Sequence, residues 1–401
     1  MIEDRLNPNE LSPELLSINA LNFAPDSDSS ARSVMFGSHF TQRLVVDGAN
    51  EKRIQTGVEK DLGRYTFAVK MPVDGRIVKI IPRYPPRMDN DSIPQNPETL
   101  VIYEDDATKE YGCVTVPYYA SFHQSFGFRY EIKQAFRDLT PGTFVPKGTV
   151  FADSPAVREN GGYAYGIELN MCLMSHPAVS EDGILISRDV LPRLKFRTYE
   201  NRTVECGVSE FPLNMYGNHE KYKPFPEIGD YIRDDGILMS LRSYSTDLMP
   251  VEVGIFDAME HDSIFDKPVY VRGKGGRVVD IKIYHDDSEQ SPMPDGIMNG
   301  VDKYHRALKQ YYNELIKLDK DIRRDRQMKF GDSKVRMSPE LHRMIVEGKA
   351  ITNEGINKSS QKLNLHFRKT PINAYHIEFV IEYEIIPTDG FKLTDTHGNF
   401  H

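Results

Sequence analysis

The sequence is poor in three features that define common classes of protein. It has three cysteines in 401 residues; Cys113, Cys172 and Cys206 are too widely spaced for a zinc cluster and odd in number for a disulfide framework. No apolar run approaches the roughly 18 residues that a membrane helix needs. The N-terminal residues 1–5 are charged and lack the apolar stretch of a signal peptide. We therefore expect a reduced, cytoplasmic protein without a membrane partner.

An excess of basic residues is also missing. The chain has 59 acidic and 50 basic residues, which gives a formal net charge of −9. A protein that simply coats nucleic acid relies on a basic surface, so the composition argues against that class. It does not exclude a large assembly in which one face of the chain meets nucleic acid. The local basic clusters at residues 76–87 and 323–326 are expected on solvated faces.

What is present indicates a mainly β protein of two or three domains. From about residue 66 to 155, short strand patterns alternate with Gly and Pro turns, without the strand–helix–strand order of a doubly wound α/β domain. One turn-and-strand pattern recurs at residues 141–152 and 227–238, with a weaker copy at 387–393. Such units are typical of small β-barrels that close by tight corners.

Two α-helices and one long strand have clear signatures. Apolar residues at 4-3 spacing predict a long helix at residues 301–326, lying on a core or pairing with one neighbour. Ser338 followed by Pro339 predicts the start of a second helix, and a similar signal predicts a short one at residues 12–16. Residues 375–384 alternate apolar and mostly acidic side chains, the pattern of a half-buried strand.

Three short motifs invite a functional interpretation that their details weaken. Residues 273–276, GKGG, lack the remaining residues of a phosphate-binding loop and predict a turn before a strand. His397 and His401 have metal-ligand spacing, but the intervening Gly and Asn favour a turn. Glu181 and Asp182 precede an apolar segment, residues 184–186, that we expect to be a buried strand. Adjacent carboxylates on an extended chain point to opposite sides, so they would not share a proton unless the backbone turns there. Two interpretations stay open: a solvated pair, or a role near a metal–phosphate complex.

Residues 30–43 are denser in functional side chains. Arg32 and Arg43 carry planar donors suited to phosphate. Gln42 and His39 could reach a nucleic-acid backbone. An amphipathic loop with unrelated arginines is the alternative explanation.

Taken in order, these pieces resemble the C-terminal half of the β subunit of multisubunit DNA-dependent RNA polymerases. The last match sets DGFKLTDTHGN against the family's G-D-K-M-A-G-R-H-G-N-K-G, and Phe400 stands where the family has a second lysine. Six collinear matches cover nearly the whole chain. They lie at residues 31–43, 55–59, 145–155, 166–171 with 180–188, 275–284 and 389–399.

The resemblance implies roles for individual residues. Arg32 resembles the arginine that contacts the triphosphate of the incoming nucleotide. Gln42 and Arg43 resemble fork-region residues beside the RNA 3′ end. Lys392 resembles the first of two lysines that hold RNA and nucleotide phosphates. The acidic pair near the second Mg²⁺ of the family corresponds to Glu181 and Asp182.

The resemblance also implies the fold. The expected fold class is mainly β with α insertions: a double-psi β-barrel, assembled from segments near residues 66–200 and 370–401, interrupted by a flap-like insertion and one long heptad helix. The implied division is a fork-like segment at 1–65, a hybrid-binding barrel segment at 66–200, the flap-like insertion at 201–300, the helix with a polar excursion at 301–369, and the returning barrel strand with the truncated lysine motif at 370–401.

The same resemblance makes the active site a property of several chains. The principal Mg²⁺ in this family is held by an aspartate triad, N-A-D-F-D-G-D, on the other large subunit, and no such run occurs here. The implied partners are the remaining β and β′ pieces, template DNA, RNA, nucleoside triphosphates and, at the flap, a promoter-specificity factor. Because Met1 shortly precedes the first match and the chain ends at His401, we expect a split β piece such as giant bacteriophages encode.

Two other functions remain open on the sequence. The barrel-like repeats and the absent aspartate triad would also suit a non-enzymatic β-barrel interaction module. A stand-alone barrel hydrolase or decarboxylase could use Glu181 and Asp182.

Overall fold

The computed structural model describes most of the chain, and the predicted helix at residues 12–16 lies outside the described part. The described residues are 44–51, 68–84, 96–123, 126–160, 166–172, 174–177, 183–207, 210–218, 220–243, 266–285, 295–331, 334–352 and 374–393, with isolated positions at 31, 35, 38, 162 and 164.

In the described residues the fold is mainly β. The first nine strands are β1 Val69–Lys70, β2 Gly75–Pro82, β3 Glu98–Asp105, β4 Tyr111–Pro117, β5 Tyr119–His123, β6 Phe126–Arg129, β7 Glu131–Ile132, β8 Phe144–Val145 and β9 Val150–Asp153. The other six are β10 Phe196–Cys206, β11 Glu210–Pro212, β12 Ile237–Ser243, β13 Asp266–Tyr270, β14 Arg277–His285 and β15 Tyr375–Ile385. The helices are α1 Gln134–Arg137, a 3-10 helix Arg188–Leu194, α2 Asp295–Phe330 and α3 Pro339–Ile351.

Seven of the first nine strands form a unit, called here the first repeat, which consists of β1–β4 and β7–β9. Its pairings are β1–β9, β7–β9, β2–β8, β2–β3 and β3–β4, all antiparallel. Strand β2 has a bulge between Ile77 and Lys79. The turns on either side of β8 contain Gly142 and Gly148 at φ of 90° and 82°, a conformation that glycine adopts without steric cost.

Strands β10–β15 form a second repeat with the same five pairings. In the order used for the first repeat, they are β13–β12, β11–β12, β14–Tyr231, β14–β15 and β15–β10. The third pairing is an isolated bridge between Tyr231 and Arg277, the first residue of β14. Strand β14 has its bulge between Val278 and Asp280, the position equivalent to the bulge of β2. The matching turn glycines are Gly229 and Gly236, at φ of 99° and 78°. The sequence recurrence at residues 141–152 and 227–238 is therefore a structural repeat.

The chain passes through the two repeats in a circularly permuted order. The first repeat runs β1, β2, β3, β4, β7, β8, β9, whereas the equivalents of these strands in the second repeat are met in the order β4, β7, β8, β9, β1, β2, β3. The equivalents of β3 and β4 are β15 and β10, which pair along eleven residues although they are far apart in sequence. The second repeat consequently begins and ends on neighbouring strands of one sheet.

The long predicted helix is confirmed as α2, and it joins the two repeats. Its Val301 and Tyr304 pack into the core of the second repeat. Farther along, Leu308, Tyr311 and Leu315 pack with α3 against the β2–β3–β4 sheet of the first repeat. The start of α3 is also confirmed, because the Ser338 side chain accepts a hydrogen bond from Leu341 N at 3.2 Å.

A buried ion pair joins the two repeats at their centre. Arg83 follows β2 of the first repeat, and its Nη2 lies 2.5 Å from Oδ2 of Asp280 in the β14 bulge. Their side chains are 1% and 2% exposed, and Tyr119 OH donates a second hydrogen bond to Asp280 at 2.8 Å. Glu98 adds another carboxylate 3.2 Å from Arg83. The expectation that Arg83 lies on a solvated face is therefore wrong: carboxylates from two elements supply the partners that a buried cation requires.

The GKGG sequence forms the expected turn before β14. Gly275 has a φ of 70°, and a Cβ on Gly276 would lie 2.6 Å from the ring of Tyr383. Both glycines therefore have structural reasons to be there. Among the described helices, none is long and apolar enough to cross a membrane.

Removing Asp280 tests whether this pair holds the repeats together. Asp280→Ala leaves the guanidinium of Arg83 buried without its closest carboxylate, and we expect the free energy of unfolding to fall by about 3–5 kcal/mol. Replacing both partners, Arg83→Met with Asp280→Leu, removes both charges and should recover most of that loss. Chemical denaturation of the three proteins measures the effect. Equal loss in the single and double variants would show that the pair contributes only packing.

Candidate functional site

Of the residues that the resemblance selects, the structure describes one. Lys392 lies after β15 and is exposed. The other five lie outside the described residues: Arg32, Gln42, Arg43, Glu181 and Asp182. Their described neighbours in sequence nevertheless show which parts of the fold the predicted segments adjoin.

The residues that follow Arg43 pack on the start of β10. Val46 forms a bridge with Phe196, the first residue of β10. The amide of Asp47 donates to Lys195 O at 2.8 Å, and the amide of Gly48 donates to Arg193 O at 2.8 Å. Residues 44–48 are therefore fixed beside the 3-10 helix that leads from residues 183–187, which directly follow Asp182.

The next residues of the same segment contact the loop after β9. The amide of Asn50 donates to Gly166 O at 2.9 Å, and its side chain accepts from the amide of Glu168 at 3.1 Å. Arg158 Nη2 donates to the carbonyl of Ala49 at 2.5 Å. The loop at residues 166–168 belongs to the fourth matched motif, so two of the matched motifs adjoin here.

The C-terminal motif reaches the same place through the β10–β15 ladder. Phe196 pairs with Ile385 at the end of that ladder. The ring of Phe391 then lies 6.0 Å from the ring of Phe196, edge to face. Lys392 is the next residue, so it lies close to the strand end on which residues 44–48 pack. We call this meeting point of residues 44–51, 166–168, 193–197 and 384–392 the junction.

Four charged side chains hold the junction together. Lys195 Nζ lies 3.0 Å from a carboxylate oxygen of Asp47 and 3.2 Å from one of Glu384. Arg197 contacts the same two carboxylates at 3.0 and 3.1 Å. Burial raises the pKa of Glu384, but the hydrogen bonds and charges of Lys195 and Arg197 outweigh it and leave that pKa lowered. The hydrogen bond that Lys195 donates to the Asp47 carboxylate is the main reason that the pKa of Lys195 is raised.

A buried glutamate lies behind these surface pairs. Glu382, in β15, is bound through two hydrogen bonds by Arg129, one of them from Nε at 2.8 Å, and accepts another from Tyr199 OH at 3.0 Å. Burial and the charge of Glu382 raise the pKa of Tyr199, so its phenol remains a donor at neutral pH. The alternation in β15 predicted Glu382 on the solvated face. The arginine that buries it comes from β6, which local periodicity cannot reveal.

The expected buried strand after Asp182 is wrong for this chain. Residues 183–187 are irregular, and Ile184 and Leu185 are 44% and 58% exposed. Nearby in sequence, Leu169, Met171 and Met174 are also exposed, at 44%, 73% and 69%. Apolar character alone predicted burial here, but the described residues provide no strand that pairs with this segment.

The described residues contain no group of three or more His, Cys, Asp and Glu side chains that could hold a metal ion. Glu181 and Asp182 are hard oxygen donors of the type that Mg²⁺ prefers, and two carboxylates suit a site completed by phosphates or by another chain. His397 and His401 lie outside the described residues.

Comparison with known proteins does not assign the chain to a family. No protein-family model matches the sequence, and no curated protein matches it significantly.

Gly48 provides a test of the junction. A Cβ on Gly48 would lie 2.5 to 2.9 Å from the Cβ and backbone of Arg193, so Gly48→Ala should displace residues 46–48 from β10. We expect faster hydrogen exchange at the amides of Asp47 and Gly48 by at least about tenfold, which corresponds to about 1.4 kcal/mol.

Gly166→Ala is the matched control, because a Cβ there meets nothing within 4 Å. It should leave exchange at residues 46–48 unchanged. Unchanged exchange in Gly48→Ala would contradict the described packing of residues 44–48 on β10.

Proposed function

We propose that this chain is a β-type subunit, corresponding to the C-terminal part of β, of a DNA-dependent RNA polymerase. It would position the nucleoside triphosphate and the RNA 3′ end for phosphoryl transfer, while the catalytic aspartate triad comes from another subunit. The observation that carries the proposal is the order of six motif matches along the chain. The junction supports it, since residues that belong to or adjoin three of those motifs meet there.

The chemistry asked of this chain is positioning and charge neutralisation. In phosphoryl transfer, cations hold the phosphate oxygens and carboxylates hold Mg²⁺, which stabilises charge in the transition state. Under the proposal, Arg32 and Lys392 bind phosphates, and Gln42 with Arg43 hold the RNA 3′ end. Glu181 and Asp182 would contribute to a shared Mg²⁺ site whose primary ligands lie on the partner subunit.

The finer fold belongs to the proposal as well. A double-psi β-barrel would combine residues 66–200 with 370–401, residues 201–300 would form the flap-like insertion, and α2 would brace that insertion. The β10–β15 ladder supports this division, because it joins residue 196 to residue 385 directly. An insertion that begins and ends on paired strands can be added without separating the two halves of a barrel.

The exposed apolar residues favour a chain that functions within an assembly. Met171, Met174 and Leu185 are more than half exposed, although apolar side chains gain about 25 cal/mol per Å² when removed from water. A polymerase subunit and a non-enzymatic interaction module both account for such a surface. Template-dependent RNA synthesis separates them, since only the former predicts it. The proposed setting is the cytoplasm of a host cell.

The test uses the assembled complex purified through a tag on this chain. We expect chains with an aspartate triad to co-purify and RNA synthesis to depend on template. Lys392→Ala should then lower kcat/KM for nucleotide by about 100-fold, since removal of one preorganised donor to developing charge costs about 10²–10³. Lys392→Arg, which keeps the charge, should retain more activity than Lys392→Ala.

Lys267→Ala is the matched control, because Lys267 is an exposed lysine of β13 paired with Glu210. It should have wild-type kinetics. A complex without RNA synthesis would refute the polymerase assignment. An active complex in which Lys392→Ala has wild-type kinetics would refute only the role of Lys392.

A further inference from the structure

The solvent-facing side of α2 carries an unusual row of side chains. Seven of its exposed positions follow 4-3 spacing, the complement of the buried seam. Each of these seven is a cation or an amide; Asp325, Met328 and Lys329 are the other exposed residues described on the helix. The row, called here the α2 stripe, consists of Arg306, Gln310, Asn313, Lys317, Lys320, Arg324 and Gln327.

The composition of the stripe contrasts with that of the chain. Acidic residues outnumber basic ones by 59 to 50 overall, yet the stripe has four cations and no acid. The stripe spans 21 helical steps, about 32 Å, which is close to one turn of B-form DNA at about 34 Å. Its residue types are those that contact phosphate and sugar oxygens in protein–nucleic acid complexes: arginine, lysine, asparagine and glutamine.

An open cleft lies along the first half of the stripe. It has a volume of about 310 Å³ and is lined by side chains of α2: Arg306, Lys309, Gln310, Asn313, Glu314 and Lys317. The one carboxylate in that lining, Glu314, is hydrogen-bonded to Lys79 of β2. Three cations and two amides therefore line the cleft, and its acid is paired with a lysine of the first repeat.

Two acids flank the second half of the stripe. Asp321 accepts a hydrogen bond from Arg324 at 2.9 Å, and Asp325 is exposed one position farther along. Both are on the α2 face next to the stripe, so they lower its charge without interrupting the row. Arg323 is paired with Asp319 at 2.7 Å and does not belong to the exposed row.

From this arrangement we propose that the α2 stripe binds the sugar–phosphate backbone of a nucleic acid, without reading its sequence. The stripe is separate from the junction. Tyr375 at one end of β15 contacts Asp302 of α2, four residues before Arg306, whereas the junction lies at Ile385, ten residues or about 33 Å along the strand. The inference does not rest on the polymerase assignment, because binding by the stripe requires only the charges and amides of α2.

Salt dependence gives the sharpest test. Each phosphate neutralised by a protein cation contributes about −0.9 to the slope of log K against log salt on B-form DNA, so four cations predict a slope of about −3.6. Fluorescence anisotropy measures this slope with two ligands, a 25-base-pair DNA duplex and a 20-nucleotide single-stranded RNA. The ligand with the higher affinity identifies the form of nucleic acid that the stripe prefers.

The stripe variant replaces four cations with glutamine, which keeps the helix propensity and the length of the side chains. The changes are Arg306→Gln, Lys317→Gln, Lys320→Gln and Arg324→Gln. We expect affinity at 100 mM salt to fall at least about tenfold and the slope to become less negative by about 3.6, with unchanged circular dichroism and Tm.

The matched control removes the same charge from exposed positions elsewhere: Arg137→Gln, Lys147→Gln, Lys267→Gln and Lys274→Gln. It should bind as the wild type does. Wild-type affinity and slope in the stripe variant would overturn the proposal, as would an equal loss in the control. Tighter binding of a poly-glutamate peptide of equal charge, or of anionic lipid vesicles, would also overturn it, because the stripe would then serve an acidic protein or a membrane.

Discussion

The pairing of β10 with β15 is the constraint on which the rest of the structure depends. Eleven residue pairs tie the entry of the second repeat to its exit, from Cys206 opposite Tyr375 to Phe196 opposite Ile385. Because the two strands are neighbours, the chain enters and leaves the second repeat, α2 and α3 at two points that are adjacent in space, Phe196 and Ile385. The residues just outside those points, near 193 and 391, are thereby brought together with residues 44–48.

Charged residues are arranged differently in the interior of the molecule and on its surface. Inside, the charges are paired across long sequence distances: Arg83 with Asp280 between the repeats, and Arg129 with Glu382 below the junction. Such pairs fix register more than they add stability, because desolvation offsets much of their attraction. Outside, the acidic excess of the chain is interrupted along α2. A chain with net negative charge can therefore still present a basic face, provided that its carboxylates are directed elsewhere.

Local sequence signals predicted the elements but not their connections. The 4-3 spacing located α2, Ser338 located the start of α3, and alternation located β15. The recurring turn-and-strand pattern at residues 141–152 and 227–238 revealed part of the structural repeat, because its turns need glycines with positive φ, Gly142 and Gly229. The permutation itself was not predicted, although the bulged strands β2 and β14 share a sequence pattern, GRIVKI at residues 75–80 and GRVVDI at residues 276–281. The burial of Arg83 depends on Asp280, 197 residues away in sequence, and that of Glu382 depends on Arg129, 253 residues away. Five of the six proposed site residues lie outside the described residues.

Under the proposed function, the RNA 3′ end lies against this chain at the junction. The most direct measurement is photo-crosslinking in the assembled, RNA-synthesising complex, with 4-thiouridine at the 3′ end of a template-bound RNA and peptide mapping of the adducts. We expect crosslinks to peptides within residues 31–43 or 389–399. Crosslinks confined to residues 201–300 or to other subunits would contradict this placement.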